Sequence, residues 1–403
     1  MLARRGLGKQ GRREVLSVVW HWVVTGTLGL VAGAWILQAL EVAWGLRGMP
    51  ELKDVAPLVD AECPRVSILF AGRDEAEKIG AAVGSFLSVD YPDFEVVAVN
   101  DRSGDATQDI LERAAARDSR LKVIHVTELP PVWLGKTHGL QKAFEASTGE
   151  WLVFTDADVK FSADLLRRAV GLAIRDGIDH LPLFGYAETF TFGERVLMTF
   201  FGLSFVLGTK PWKKGKPGSR FYVGVGAFQM VRRSAYIAMG EHKRLAMEVV
   251  DDIKLGKSMQ NAGFRSQAAI ADRRVSVHWH KGVRATIRGT TKNFFATSQY
   301  SLATVTAQVI AVLLGCVVPW VAIFFVHGWA RIFAAVAVGI ALAMQVGVTM
   351  EFEVSPLYAL TMPAGALLLC WMLVRSTFVT LRNGGITWRG TFYRLSDLKK
   401  GLV

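Results

Sequence analysis

The stretch Trp151-Leu-Val-Phe-Thr-Asp-Ala-Asp-Val159 organises the reading of the whole chain. Its first five residues, Trp151 to Thr155, predict a buried strand, and two carboxylates, Asp156 and Asp158, close it. Residues i and i+2 of extended backbone point the same way, so the pattern brings both acids to one small volume at a strand's carboxyl end. Two anions held that close repel unless a cation lies between them. Their hard oxygens suit Mg²⁺ or Mn²⁺, ions that also grip the phosphates of a nucleotide. Taken alone, the same residues describe a strand followed by an Asx turn. The flanking sequence decides between the two.

On the N-terminal side, strands and helices alternate. Val66–Ala71, Phe94–Val99 and Lys122–His125 read as strands; Asp74–Leu87, Asp105–Arg117 and Gly139–Ala146 have helical spacing. This predicts an α/β fold, a parallel, doubly wound Rossmann-like sheet whose ligand site lies beyond the strands' carboxyl ends. Three polar clusters fall there: Gly72-Arg73-Asp74-Glu75, Asn100-Asp101-Arg102-Ser103-Gly104-Asp105, and the pair Asp156 and Asp158. Singly, Asp74 and Asp105 fit helix N-caps. Jointly, the clusters make a nucleotide site with a metal. No G-x-G-x-x-G or Walker lysine loop is present, which disfavours ordinary dinucleotide and ATP sites.

The 403 residues are 51% hydrophobic with mean hydropathy +0.29, enough for one soluble domain plus membrane spans. Leu16–Leu40 is apolar apart from His21 and Gln38, and is read within 16–44 as a retained membrane anchor behind a basic tail, residues 1–15. Leu302–Val326, Ile332–Met350 and Pro356–Val374 are each about 20 residues or longer, so 302–374 predicts two or three further transmembrane helices. The net charge of +12 lies mostly beside these segments, including a basic tail at 375–403, which favours anionic headgroups over nucleic acid. Cys63 has no soluble partner, and Cys316 and Cys370 lie inside spans, so no disulfide framework is expected.

VSILFAGRDEAEKI (66–79), VVAVNDRSGDAT (96–107), Pro131-Val-Trp-Leu-Gly-Lys136 and WLVFTDADV together resemble an inverting glycosyltransferase of family 2 with the GT-A fold. The likeness covers residues 64–300, with a catalytic domain at 64–280, and more loosely ITWRGTFYRL (386–395). It is nearest to the membrane-bound bacterial members of the hopanoid-associated, carotenoid and ceramide group. The resemblance implies a nucleotide-sugar donor, foremost a UDP-sugar, a divalent ion, Mg²⁺ or Mn²⁺, and inversion at the anomeric carbon. It places Arg73, Asp74, Glu75 and Asp101 around the base and ribose, Lys136 near the donor, and the metal on Asp156 and Asp158. Lys136 equally fits a solvated loop. The catalytic base aligns with Asp252 of Met247-Glu-Val-Val-Asp-Asp-Ile-Lys-Leu-Gly256, where Asp251 replaces the usual Glu. Asp252 also suits a helix N-cap, a position that lowers a carboxylate's pKa.

Members that build polymers end the domain with Q-x-x-R-W; residues 281–295 lack it, which suits transfer of a single sugar. Within this interfacial segment, 281–300, Arg284, Arg288 and Lys292 recur on one helical face. Arg284 and Arg288 are read as donor contacts and Lys292 as a membrane contact. His278 and His280 are left outside the metal set. Within Phe190–Leu207, interrupted by Glu194 and Arg195, an apolar run of about 13 residues precedes a lysine loop; it is too short to span and reads as interfacial. Phe200, Phe201, Trp212, Gly224 and Gly226 are the expected acceptor contacts. The chain thus reads as an enzyme of the bacterial inner membrane, its catalytic domain facing the cytosol and its acceptor a membrane lipid. A polyprenyl-phosphate acceptor and an inactive nucleotide-sensing scaffold are the alternatives.

Overall fold

A computed structural model gives the structure of residues 9–213 and 221–403. The start of the basic tail and the lysine loop after Lys213 lie outside the described residues, as do the side chains of Lys9, Arg12 and Arg13. Eight strands form one sheet: β1 (Val66–Gly72), β2 (Phe94–Asp101), β3 (Leu121–Val126), β4 (Trp151–Phe154), β5 (Val159–Phe161), β6 (His180–Ala187), β7 (Gln229–Arg232) and β8 (Ala269–Val277), in the order β3-β2-β1-β4-β7-β6-β8-β5. The first four are parallel, with Val66 opposite both Phe94 and Trp151. The second half departs from the expected all-parallel sheet. There β7 runs antiparallel to β4 and β6, β8 parallel to β6, and β5 antiparallel to β8. This curled, mixed α/β sheet is GT-A-like.

Ten helices belong to the domain or lean on it: α1 (Lys9–Leu46), α2 (Ile79–Leu87), α3 (Thr107–Ala115), α4 (Gly135–Glu145), α5 (Leu165–Asp176), α6 (Phe192–Thr209), α7 (Arg233–Ala238), α8 (Asp251–Asn261), α9 (Val283–Thr290) and α10 (Asn293–Thr297). Period-two alternation in the strands feeds two cores. Along β1, Ile68 and Phe70 pack on the α2 and α5 side, while Leu69 packs with Leu140 and Phe144 of α4. The segment 47–64 is part of this body. Leu52 is fully buried, Arg167 of α5 donates to the carbonyl of Leu58, and Arg168 donates to that of Val55.

The late apolar runs form α11 (Leu302–Cys316), α12 (Val318–Phe325), α13 (Gly328–Glu351) and α14 (Met362–Asn383). Leu16–Leu46, Gly328–Glu351 and Pro356–Asn383 are each long and apolar enough to cross a membrane. The α11–α12 pair, bent by 43° ahead of Pro319, makes a fourth if it is one broken span. The segment after α14 is no loose basic tail. A hairpin, β9 (Gly385–Trp388) and β10 (Thr391–Arg394), and α15 (Leu395–Lys400) fold back onto the domain, where the backbone N–H of Val403 donates to Glu248 (2.6 Å).

One buried carboxylate ties the strand starts together. Glu95 of β2 accepts from Ser67 of β1 (2.8 Å), Lys122 of β3 (2.6 Å), and the backbone N–H and hydroxyl of Thr148 before β4 (2.6 and 2.7 Å). Burial alone would raise its carboxyl, yet these donors pull it down to about 2. A depressed carboxylate stabilises the fold above its ordinary value, and that contribution disappears as pH falls through the folded value. Stability measured by urea unfolding should therefore drop between about pH 4.5 and 2, and Glu95→Gln should be less stable at neutral pH with much of that acid dependence gone.

Candidate active site

Lys136 lies in the first turn of α4, since that helix starts at Gly135, four residues earlier than its spacing predicts. Its ammonium bridges Asp156 (2.9 Å) and Asp251 (3.3 Å), so it is no solvated loop lysine. Burial opposes its charge, but Asp156, Asp251 and Asp252 outweigh burial and hold it protonated. Asp252 stands beside this pair. Its Oδ2 accepts from the backbone N–H of Gly226 (3.1 Å) and its Oδ1 from that of Ile253 (2.8 Å). Burial and the Asp251 charge push its carboxyl up to about 6, with Lys136 pulling the other way. The lowered value expected at a helix start is not found, because desolvation and a like charge exceed the field of the helix terminus. The cap expectation also fails: Val250 is the N-cap, and no side chain caps α8.

The two acids of the D-x-D pair each meet a different lysine. β4 ends at Phe154, so Asp156 and Asp158 sit in a turn where the i, i+2 rule of strands no longer applies. Asp156 turns to Lys136, while Asp158 meets Lys78 (2.8 Å), which also donates to the carbonyl of His278 (2.7 Å). They remain close enough to repel: burial and then Asp156 raise the Asp158 carboxyl. Among the described residues no three His, Cys, Asp or Glu side chains group as a metal site. The two hard carboxylates, Asp156 and Asp158, would fit a Mg²⁺ or Mn²⁺, which would supply charge neutralisation for a diphosphate.

Asp74 and Asp105 cap no helix; they knit the two loops at the crevice together. Asp74 accepts from Gly104 N–H (2.7 Å), and Asp105 from Ala76 N–H (3.0 Å) and Thr107 N–H (3.0 Å). Asp101, nearly fully buried, is held bidentately by Arg102 (2.7 and 3.0 Å). The C-terminal hairpin closes this side. Its turn residue Arg389 pairs with Glu75, Arg73 reaches Thr391 (3.5 Å), and the Tyr393 hydroxyl accepts from Gly135 N–H (3.3 Å). Burial, with Asp158 and Asp156, raises the Glu75 carboxyl despite Arg389.

Arg284 and Arg288 are exposed and are not brought to the acids. Lys292, read as a membrane contact, is the residue of that face that turns inward. Its ammonium lies 3.8 Å from the centre of the Trp388 ring, and burial followed by Lys136 lowers it to about 8 against the pull of Asp251, Asp156 and Asp252. Nothing local in 281–295 distinguishes it from the two arginines; only the return of the hairpin does. His278 faces Glu194 (3.6 Å), and His280 stacks on Trp279, so neither joins Asp158 as a ligand.

The acceptor expectations divide. Gly226 lies inside the site, where an added Cβ would come within 2.9 Å of Asp156 Oδ2 and 3.2 Å of Asp252 Oδ2. Gly224 presses on the Asp252 backbone, so both glycines serve close approach to Asp252 rather than a pocket wall. Phe200 is buried against Gly365 of α14, and Trp212 packs over Gly45 at the end of α1. Phe201 is half-buried and packs on Trp279 (5.4 Å), continuing to His280. Phe200→Ala should accordingly cost about 3–5 kcal/mol in chemical unfolding, with little change in acceptor KM for the folded fraction. Gly226→Ala should remain folded, bind nucleotide, and lose at least ~100-fold in turnover, because a methyl group displaces the carboxylates of Asp156 and Asp252.

Residues 67–240 match the family described as Glycosyl transferase family 2. The beta-monoglucosyldiacylglycerol synthase of Trichormus variabilis is 26% identical over 187 residues, 44% of this chain and 39% of that protein. Glycosyltransferase AglD of Haloferax volcanii is 35% identical over 101 residues, 23% of this chain and 15% of that one. The chain therefore spans well under half the length of these curated relatives. Among solved structures, the mannosyltransferase PcManGT of Pyrobaculum calidifontis, in complex with GDP-Man and Mn²⁺, superposes with TM-score 0.51 at 19% identity, covering 88% of this chain and 99% of that one. At that identity the likeness speaks for the fold alone. Residues 67–240 thus resemble a family 2 glycosyltransferase domain, and the chain has a GT-A-type fold.

Proposed function

We propose that this protein transfers a single sugar from a nucleotide-sugar donor, foremost a UDP-sugar, to a hydroxyl of a membrane lipid, with inversion and with Mg²⁺ or Mn²⁺. The observation that carries the reading is Asp252, a carboxylate held by two backbone N–H groups with its pKa pushed up to about 6. A general base works best when its pKa lies near the operating pH, and one placed at the acceptor typically contributes 10²–10⁴-fold, about 3–5 kcal/mol. Gly226 and Ile253 fix the direction of the carboxylate. Lys136 keeps Asp251 and Asp156 compensated, so that Asp252 is the acid left to take the acceptor proton. A divalent ion held by Asp156 and Asp158 would neutralise the departing diphosphate. Arg73, Glu75 and Asp101, braced by Arg389 and Arg102, form the nucleotide side of the crevice. The lipid acceptor is supported by the apolar helices packed on the domain and by the relative named for a glycolipid synthase. Phe201 and Trp279, which pack together, are the acceptor contacts of this reading. The bacterial inner membrane with the domain in the cytosol, where nucleotide sugars are found, is the setting this reading requires.

Two measurements test it. Asp252→Asn should bind UDP in calorimetry as the wild type does, while turnover in lipid micelles falls at least ~100-fold. Near-normal turnover would remove the base assignment and favour an acceptor already ionised, a polyprenyl phosphate; a wild type that transfers nothing would favour the scaffold. A carboxylate base acts only when deprotonated, so wild-type kcat should rise with pH through about 6. Lys136 lowers the Asp252 pKa, so Lys136→Gln should move that limb to higher pH.

A further inference from the structure

α14 passes every length and composition test for a transmembrane helix, yet its surroundings are those of a helix lying flat. Its 22 residues extend about 33 Å, close to the ~30 Å of a hydrocarbon core. Near its start, Gly365 presses on Phe200 and on the carbonyl of Val196 in α6, leaving no room for a larger residue. Further along, Ser376 donates to the carbonyl of Thr291 (2.6 Å) and accepts from Phe295 N–H (2.9 Å), and Arg375 donates to Thr291 Oγ1 (3.2 Å). At its end the chain enters the hairpin that reaches Glu75. The segment before it is held to the domain as well, for Tyr358 packs on Phe192 and lies under Arg195 at the start of α6. The start, the last third and the end of α14 therefore touch the domain side, while its middle lies against α11, with Cys370 next to the carbonyl of Val309. A hydrocarbon layer of ~30 Å fits between none of them.

The opposite face points outward and is apolar from end to end. Leu367, Trp371, Val374, Phe378 and Leu381 repeat at steps of four and three and are all exposed, whereas Ser376, Thr377 and Thr380 lie on the buried side. The remaining helices also carry exposed large apolar side chains, among them Leu30, Leu37, Phe324, Phe325 and Trp329. Those helices are arranged as crossings. α1 and α13 run side by side, from the contact of Gly29 with Phe333 to domain contacts at their C-terminal ends, Glu41 with Lys210 and Glu353 with Arg273. The broken pair packs through α11 on α14 and through α12 on α13, and Trp35 of α1 donates to the carbonyl of Gly315 near the break (3.0 Å).

We propose that α14 is an in-plane helix whose apolar stripe rests in the headgroup–acyl boundary of the bilayer, and that the spans of this chain are α1, the bent α11–α12 pair, and α13. Two crossings then follow the catalytic domain, out and back, which is the parity needed for the hairpin to return to the donor site. The basic residues before α1 pull against this orientation of that one span. This placement of α14 does not depend on the transferase reading and stands or falls separately from it.

The test replaces Cys63, Cys316 and Cys370 and introduces single cysteines at Leu357, Asn383, Glu150 and His327. A membrane-impermeant maleimide is then applied to sealed vesicles of each orientation. Leu357, Asn383 and the domain marker Glu150 should label from one face, and His327, between α12 and α13, from the other. Labelling of Leu357 from the face opposite Asn383 would overturn the proposal, since α14 would then cross. Spin labels at Leu367, Trp371 and Phe378 should report one shallow depth in oxygen and nickel collision measurements. A maximum at Trp371, or values typical of water at all three, would equally overturn it.

Discussion

The ammonium of Lys136 holds together three segments that the backbone brings to the crevice by separate routes. Asp156 follows β4, Asp251 opens α8, and Lys136 itself sits in the first turn of α4. Without that cation three carboxylates would face one another in a half-buried space, a situation resolved only by protonation or displacement. With it, Asp156 and Asp251 keep fixed positions and Asp252 is left as the acid with the raised pKa. Removing one member of such a buried cluster typically costs about 3–5 kcal/mol, because the others are left uncompensated.

Around that contact, close backbone approach does what side chains cannot. Gly224 and Gly226 let the segment before β7 run directly against Asp252, so that an N–H rather than a side chain aims the carboxylate. Gly202 and Gly365 let α6 sit tight between Phe352 and α14, which couples the membrane-facing layer to the sheet. At the N-terminus of α6, Glu194 completes a capping box with Thr191 and also accepts from Gly282 N–H (2.6 Å). His278, whose carbonyl holds Lys78, leans on the same Glu194. A continuous set of polar contacts therefore runs from Asp158 to the helix that bears Phe200 and Phe201.

The amino-acid order is enough to specify the parallel half of the sheet, the crevice at its carboxyl edge and the apolar segments. Hydrophobic periodicity and strand-ending polar clusters are local signals, and β1 to β4 carry them without interruption. Asp156, Asp158 and Asp252 stand out in the same way, since acids at strand ends and helix starts are visible as such. What those acids meet depends on the folded chain. Lys78 is an ordinary helix-edge lysine until His278 arrives from β8, 200 residues later. Lys292 repeats with Arg284 and Arg288 on one face, and only Trp388 of the returning hairpin separates it from them. The antiparallel half of the sheet, the burial of Phe200 under Gly365, and the difference between a crossing helix and a flat one were hidden for the same reason. Each depends on contacts between residues far apart in the chain, and composition, which records how apolar a segment is, carries no information about what lies against its two faces.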